Sequence, residues 1–311
     1  MFSIVIPLYN KEAYIKRCLK SVYSQSFQDF EVIVIDDGST DKGAQIIKDE
    51  YPEVILIQQS NQGVSKARNT GIAKSKNKYI AFLDADDAWH PQYLNYVKEV
   101  IESNQSANIV GGHYSNDISS IKLTSNALDY IEIKDYFKSA SKNTIFFTSA
   151  TVVRRQVIID NRITFNSTLK GGEDLDFWFK VNLVRGGAFY IKNTLVYYSD
   201  EDIMQATRSL PDLNQTLVGT IEASYRNYYE NHSDLRKFIS QYILLNLFPY
   251  FYRRDSNKLA SEILRNIPCK SFLLSMAYKL PLSMGIRMIN NSRSRKYFRL
   301  YLKFIIKISR Y

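Results

Sequence analysis

A chain of 311 residues is long enough to bury a full core and still carry an appended segment. Its 45% hydrophobic and 23% charged composition argues against global disorder, and its two distant cysteines, Cys18 and Cys269, argue against a disulfide-stapled secreted scaffold and fit a reducing compartment. The formal charge of +10 is unevenly placed: from Ser256 to Tyr311 twelve Lys/Arg face one acid, Glu262, so this stretch carries +11 and everything before it −1.

Met1 to Pro7 reads as a first strand, with no basic n-region or small-residue cleavage site of a signal peptide. A helix is expected from Glu12 to Ser24, with Tyr14, Cys18, Leu19 and Val22 on one face. Then follow a strand at Glu31–Ile35, a helix from Asp41 to Tyr51, a strand at Val54–Ile57 and a helix from Gly63 to Ser75. A strand at Tyr79–Leu83 and a helix from Pro91 to Ser103 complete the first third. Continuous apolar strands alternating with helices predict a parallel α/β sheet covered on both faces, with right-handed crossovers. Weaker strand signals continue at Ile109–Gly111, Ile145–Phe147 and Phe189–Ile191, and a strong helix begins near Glu173 and ends at Gly186–Gly187, read as a C-cap. Beyond Leu210 only helices are expected: Leu213 to Asn231, Leu235 to Tyr252, Asn257 to Asn266 and the basic remainder. No apolar run reaches the roughly 18–20 residues that span a bilayer.

Four polar clusters fall at or just after expected strand ends, where such sheets bind ligands. They are Pro7-Leu8-Tyr9-Asn10, Asp36-Asp37-Gly38-Ser39-Thr40-Asp41, Asn61-Gln62-Gly63 with Ala67-Arg68-Asn69-Thr70-Gly71, and Asp84-Ala85-Asp86-Asp87. Each alone is ordinary turn and cap chemistry. Together they place five carboxylates (Asp36, Asp37, Asp84, Asp86, Asp87) and Arg68 on one sheet edge. Carboxylates that close repel, so a cation is expected among them, and Asp-x-Asp offers oxygen ligands suited to Mg²⁺ or Mn²⁺.

This series resembles the motifs of family 2 glycosyltransferases over about residues 1–200. The resemblance implies a GT-A (Rossmann-like) fold: a mostly parallel sheet flanked by helices, here with a helical, basic extension at 210–311. The catalytic domain would be 1–209, divided into a nucleotide-sugar half at about 1–103 and an acceptor half at about 104–209. It further implies that Pro7, Tyr9 and one or both of Asp36 and Asp37 hold the nucleotide base, with Arg68 nearby, and that Asp84 lies near the ribose or metal. Asp86 would be the direct ligand of Mn²⁺ or Mg²⁺. Lys170 to Trp178 is similar to the family's Glu-Asp segment, which makes Asp174 the general base of an inverting transfer and puts Glu173 and Trp178 on the acceptor side. Uridine diphosphate is the donor nucleotide the family favours. Where many relatives carry a metal-binding His after the last sheet strand, this chain reads Val196 to Asp202 with none, so the metal would rely on Asp86, the diphosphate and water, or on an acid from Asp200 to Asp202. His90, His113 and His232 are expected to be structural or surface residues.

In the basic stretch, Tyr297, Leu300, Tyr301, Phe304, Ile305 and Ile308 recur at helical spacing beside Arg295, Arg299, Lys303, Lys307 and Arg310. That pattern predicts an amphipathic helix for an anionic membrane surface, or else one packed on the body of the protein, in preference to a nucleic-acid groove. A membrane-surface location implies a lipid-linked saccharide or growing cell-surface glycan (O-antigen or capsule type) as acceptor, with the enzyme peripheral at the cytoplasmic face. Two rivals stand beside this reading. A nucleotidyltransferase would need a Gly-rich loop after the first strand, which Pro7 to Lys11 lacks, and a non-catalytic nucleotide-sugar-binding protein would not need Asp86 and Asp174.

Overall fold

A computed structural model of the chain describes residues 1–122, 127–141, 144–201, 210–229, 232–269 and 276–308. They form two compact units: Met1–Lys134, Ile145–Ser167 and Glu173–Arg208 in the first, Asp135–Thr144, Thr168–Gly172 and Ser209–Tyr311 in the second.

The first unit is a mixed sheet with helices against it. Strands β1 (Phe2–Leu8), β2 (Phe30–Asp36), β3 (Ile55–Gln58) and β4 (Tyr79–Phe82) are parallel neighbours in the order β3-β2-β1-β4. They are joined through α1 (Glu12–Tyr23), α2 (Gly43–Glu50) and α3 (Val64–Lys74). The chain continues through β5 (Ala88–Trp89), α4 (Tyr93–Ser103), β6 (Ala107–Ser115), α5 (Ile118–Lys122) and β7 (Tyr130–Glu132). After α6 (Tyr136–Ala140) of the second unit come β8 (Thr151–Arg154), α7 (Arg155–Asp160), α8 (Glu173–Leu183) and β9 (Gly187–Tyr197). The sheet order extends as β4-β8-β6-β9-β5, with β8 antiparallel to β4 and β6, β6 parallel to β9, and both β5 and β7 antiparallel to β9.

Side-chain alternation along the parallel strands covers both faces. Ile4, Ile6 and Leu8 join a core with Ile15, Cys18, Leu19 and Val22 of α1, while Ile33 and Ile35 pack with Ala67 of α3. The buried face of α1 uses Ile15 where the sequence suggests Tyr14, whose ring instead lies under Lys11 and Arg17 at 5.8 and 5.6 Å. On α3, a Cβ on Gly71 would stand 2.3 Å from Val5 Cγ1 of β1. Gly71→Ala should therefore destabilise by about 1–3 kcal/mol through overpacking, read as a lowered thermal midpoint; an unchanged midpoint would mean that α3 can slide away from β1.

Three expectations are corrected. Ile145–Phe147 is not a strand: Phe146 fills the core against Gly111, whose Cβ would lie 2.4 Å from its ring, and the strand is Thr151–Arg154. Gly186–Gly187 is not a left-handed cap, since α8 ends at Leu183, neither glycine has positive φ, and Gly187 opens β9. The helix expected from Leu235 to Tyr252 divides into α10 (Ser233–Asn246) and α11 (Phe248–Phe251), because Pro249 cannot donate within a continuing helix.

The rest of the second unit comprises α9 (Leu217–Tyr229), α12 (Asn257–Arg265) and the helices Leu282–Asn290 and Ser292–Ile308. The expected helix end at Asn231 lies outside the described residues. Within this unit Lys170 N–H donates to Gln215 O at 2.6 Å and Leu217 N–H to Gly171 O at 2.9 Å. Gly172, directly before Glu173, adopts φ +82°. Among the described residues no helix is long and apolar enough to cross a membrane.

Candidate active site

The parallel register sets Leu8, Asp36 and Gln58 side by side, so the loops after β1, β2 and β3 leave one edge together. Asp36 is buried and accepts from Ser39 N–H and Gln58 Nε2, each at 2.9 Å. Asp37 is also buried; its Oδ1 accepts from Gln59 Nε2 at 2.7 Å and Gln62 N–H at 2.9 Å, and its Oδ2 from Gly63 N–H at 2.7 Å. These bonds tie the second cluster to the third. Gly38 turns the loop at φ +77°, and a Cβ there would meet Asn61 N at 2.9 Å. After β1, Asn10 takes φ +50° and accepts Thr40 N–H at 2.8 Å, while Pro7 is half-buried in the strand and Tyr9 is 47% exposed. This edge therefore presents one aromatic face above rigidly held backbone.

The fourth cluster, after β4, is cross-braced by cations of the chain itself. Arg68 of α3 is buried; its Nη2 lies 2.7 Å from Asp84 Oδ1 and its Nη1 3.9 Å from Glu173 Oε1. Burial works against the guanidinium charge, but Asp84 and Glu173 outweigh it and keep Arg68 protonated. Its plane also lies over the Phe165 ring at 5.3 Å. Lys11 Nζ meets Asp86 Oδ2 at 2.5 Å. Burial and the charge of Asp84 hold the Asp86 carboxyl above its ordinary range, and Lys11 pulls it back. Asp87 is deeper: burial and Asp84 push it well up, although Ser149 Oγ donates to its Oδ2 at 2.5 Å and Ser199 N–H to its Oδ1 at 2.9 Å.

Asp174, in the first turn of α8, accepts Leu175 N–H at 2.8 Å. Burial and then Glu173 raise its carboxyl to about 6, against the opposing pull of Leu175 N–H and Arg68. Asp84, Glu173 and Asp174 are thus brought into one electrostatic neighbourhood around Arg68, and Asp84 links it to Asp86. Asp176 is buried and paired with Lys180 at 2.6 Å. Trp178, expected on the acceptor side, is 0% exposed and packs with Phe82, Phe165 and Phe177, so its ring belongs to the core.

The cation that crowded carboxylates require is supplied in part by Lys11, Arg68 and Arg17. Arg17 donates to Asp86 O at 2.8 Å, pairs with Glu201 at 3.0 Å and lies over the Tyr197 ring at 5.0 Å. Lys11 directly follows the first cluster and was legible by adjacency; Arg17 reaches the site from within α1, and no spacing marks it. Among the described residues no three His, Cys, Asp or Glu side chains form a metal cage. Asp84 and Asp86 nonetheless suit a hard divalent cation that takes its remaining ligands from phosphate and water, because their mutual repulsion is already registered in the raised Asp86. Asp200 bonds Asn116 at 3.1 Å and Glu201 bonds Arg17, while Asp202 lies outside the described residues. His90 accepts Gln92 N–H at 3.2 Å, His113 meets Tyr190 Oη at 3.0 Å, and His232 is exposed ahead of α10.

Comparisons with known proteins agree with this architecture. The chain is 29% identical over 283 residues to the minor teichoic acid biosynthesis protein GgaA of Bacillus subtilis, a match covering 81% of this chain and 60% of that one. Across the first curated relatives the match spans only 17% to 54% of their length. S. aureus TarS 1-349 in complex with UDP-GlcNAc superposes with a TM-score of 0.70 at 18% identity, covering 100% of this chain and 92% of that one. The mannosyltransferase PcManGT from Pyrobaculum calidifontis, in complex with GDP-Man and Mn²⁺, superposes with a TM-score of 0.57 at 14% identity over 99% of this chain and 86% of that one. These likenesses establish the GT-A fold. Residues 3–162, just over half the chain, match the sequence model of glycosyl transferase family 2, and with the sheet order and the four strand-end clusters this places the chain in that family.

Proposed function

We propose that the chain transfers a sugar from a nucleoside-diphosphate donor, a uridine diphosphate sugar by preference, to an acceptor hydroxyl with inversion at the anomeric carbon. The observation that carries this reading is the junction of Asp84 with Glu173, and through it Asp174, across one buried guanidinium. Asp174 takes the proton of the acceptor hydroxyl; the oxygen attacks the anomeric carbon, and the bond to the diphosphate breaks with its electron pair. A carboxyl raised to about 6 is well suited to this, being ionised at neutral pH yet more basic than an ordinary aspartate. Glu173 and Arg68 orient the base, while Pro7, the exposed Tyr9 ring and the rigid Asp36–Asp37 edge seat the nucleotide. Asp86, with Asp84 beside it, would hold Mn²⁺ or Mg²⁺, which when bound neutralises charge on the departing nucleoside diphosphate.

The nucleotide-sugar half is assigned to about 1–103, the acceptor half to about 104–209, and the helical extension to 210–311. A lipid-linked saccharide or growing cell-surface polysaccharide is the acceptor we propose, met at the cytoplasmic face of the membrane. Support comes from GgaA, whose name records teichoic acid biosynthesis, and from the basic extension.

The test is a calorimetric titration of the purified protein with UDP, GDP and other nucleoside diphosphates, with and without Mn²⁺. Metal-dependent binding of one nucleotide is expected, followed by slow hydrolysis of the matching nucleotide sugar. Absence of binding to every nucleotide would remove the donor-site reading; binding without turnover of any kind would favour a non-catalytic relative.

A further inference from the structure

The helix Ser292–Ile308 divides its apolar residues between two faces. Leu302 is 1% exposed and Phe298 packs against Phe248 of α11 with ring centroids 4.2 Å apart and planes tilted by 38°, so one face is anchored in the second unit. Tyr297, Leu300, Tyr301 and Phe304 are 70%, 53%, 57% and 58% exposed. Their spacing of i, i+3, i+4 and i+7 aligns them as a single ridge. At 100° per residue, Lys296 and Lys303 stand about 90–110° from the ridge centre on the side opposite Phe298, and Arg293 about 30° from it. All three cations are exposed, and no acid follows Glu262 anywhere in the chain. On the adjoining helix Leu282–Asn290, Met284 is 51% exposed and Arg287 is exposed as well.

A solvated helix gains nothing from four large apolar side chains held in water, and they are not left over from packing, because Phe298 and Leu302 already serve that purpose. We propose that this ridge inserts into the acyl boundary of an anionic bilayer, with Tyr297 and Tyr301 at the headgroup level and Lys296, Lys303 and Arg293 on the lipid phosphates. The ridge chemistry, apolar from Tyr297 to Phe304 with Arg293 at its N-terminal end and Lys296 and Lys303 along one flank, matches a layer that is anionic outside and apolar beneath. A second copy of the chain fits less well, since two such ridges would bring like charges together. This inference rests on the membrane location proposed above and not on the donor site, so vesicle binding and nucleotide binding can fail separately.

The test uses the full chain and sonicated vesicles of phosphatidylcholine, alone or with about 30% phosphatidylglycerol, a content at which each basic residue near the surface still counts. Co-sedimentation is expected with the anionic vesicles and weakly or not at all with the neutral ones. Tyr297→Ser, Leu300→Ser, Tyr301→Ser and Phe304→Ser combined should lower partitioning at least about 100-fold, with the thermal midpoint and UDP/Mn²⁺ binding unchanged because the ridge is exposed. Lys296→Gln with Lys303→Gln should cost about 10- to 30-fold, on anionic vesicles only. In a separate Phe304→Trp variant, emission should shift to the blue on anionic vesicles, against the constant background of the buried Trp89 and Trp178. Unaltered vesicle binding by the quadruple variant, or no blue shift at saturating lipid, would overturn the proposal. So would a wild-type dimer that the quadruple variant disperses, or ridge-dependent binding to duplex DNA in place of vesicles.

Discussion

Asp174→Asn should cut sugar transfer by about 10²–10⁴-fold while leaving nucleoside-diphosphate binding near the native level. The amide keeps the shape of the side chain and can still accept Leu175 N–H through its oxygen, so α8 keeps its first turn; what disappears is the group able to take a proton. The pH profile gives an independent reading. A base at Asp174 would work in its ionised form, and burial together with the Glu173 charge disfavours that form, which moves the carboxyl from its ordinary value up to about 6. Transfer should therefore rise with pH through about 6 and fall below it, where an unperturbed aspartate would hold its rate down to about 4. Glu173→Gln removes the like charge and should move this acidic limb to lower pH. A limb that stays in place in Glu173→Gln, or transfer near the native rate in Asp174→Asn, would assign the proton to another group.

The sheet edge was legible because two signals coincide there. Runs such as Val32–Ile35 are β-branched and apolar, and each stops near a cluster rich in residues of little strand propensity, so strand and site boundary are read from the same transition. Elements of two to four residues, such as β5, β7 and β8, offer too short a window for any period. In α8 the period fails for a different reason: Asp176 to Phe179 are consecutive buried residues, so the helix is enclosed on most sides and Trp178 cannot be told from an acceptor-facing aromatic by position. Arg68 illustrates a third limit. Its place in the third cluster is evident, but its role as the link between Asp84 and Glu173 depends on residues 16 and 105 positions away in sequence meeting in space. The same holds for the division of apolar residues on the helix Ser292–Ile308, where spacing gave the face and only the packing of Phe298 and Leu302 separates inner from outer.

Asp86→Ala should abolish the metal-dependent part of donor binding and leave a weaker, metal-independent remainder. The carboxylate sits where burial and Asp84 already strain its charge, so a divalent cation at this position relieves two acids at once, and removing Asp86 leaves Asp84 alone, with one oxygen already on Arg68. A single carboxylate and a diphosphate hold Mg²⁺ or Mn²⁺ poorly when the ion would otherwise keep its water. The remainder comes from Lys11: once its 2.5 Å pairing with Asp86 is gone, its ammonium can turn toward the diphosphate as a single positive charge in place of a double one. Folding should be little affected, because the substitution removes a repulsion with Asp84 at the same time as it removes the ion pair with Lys11, and Lys11 keeps the Tyr14 ring 5.8 Å from its ammonium. Calorimetry with and without Mn²⁺ on the wild type, Asp86→Ala and the double variant Asp86→Ala with Lys11→Met separates these contributions. The single variant should lose its response to Mn²⁺, and the double variant should lose the residual binding as well. A Mn²⁺ response that survives in Asp86→Ala would move the metal site away from the fourth cluster.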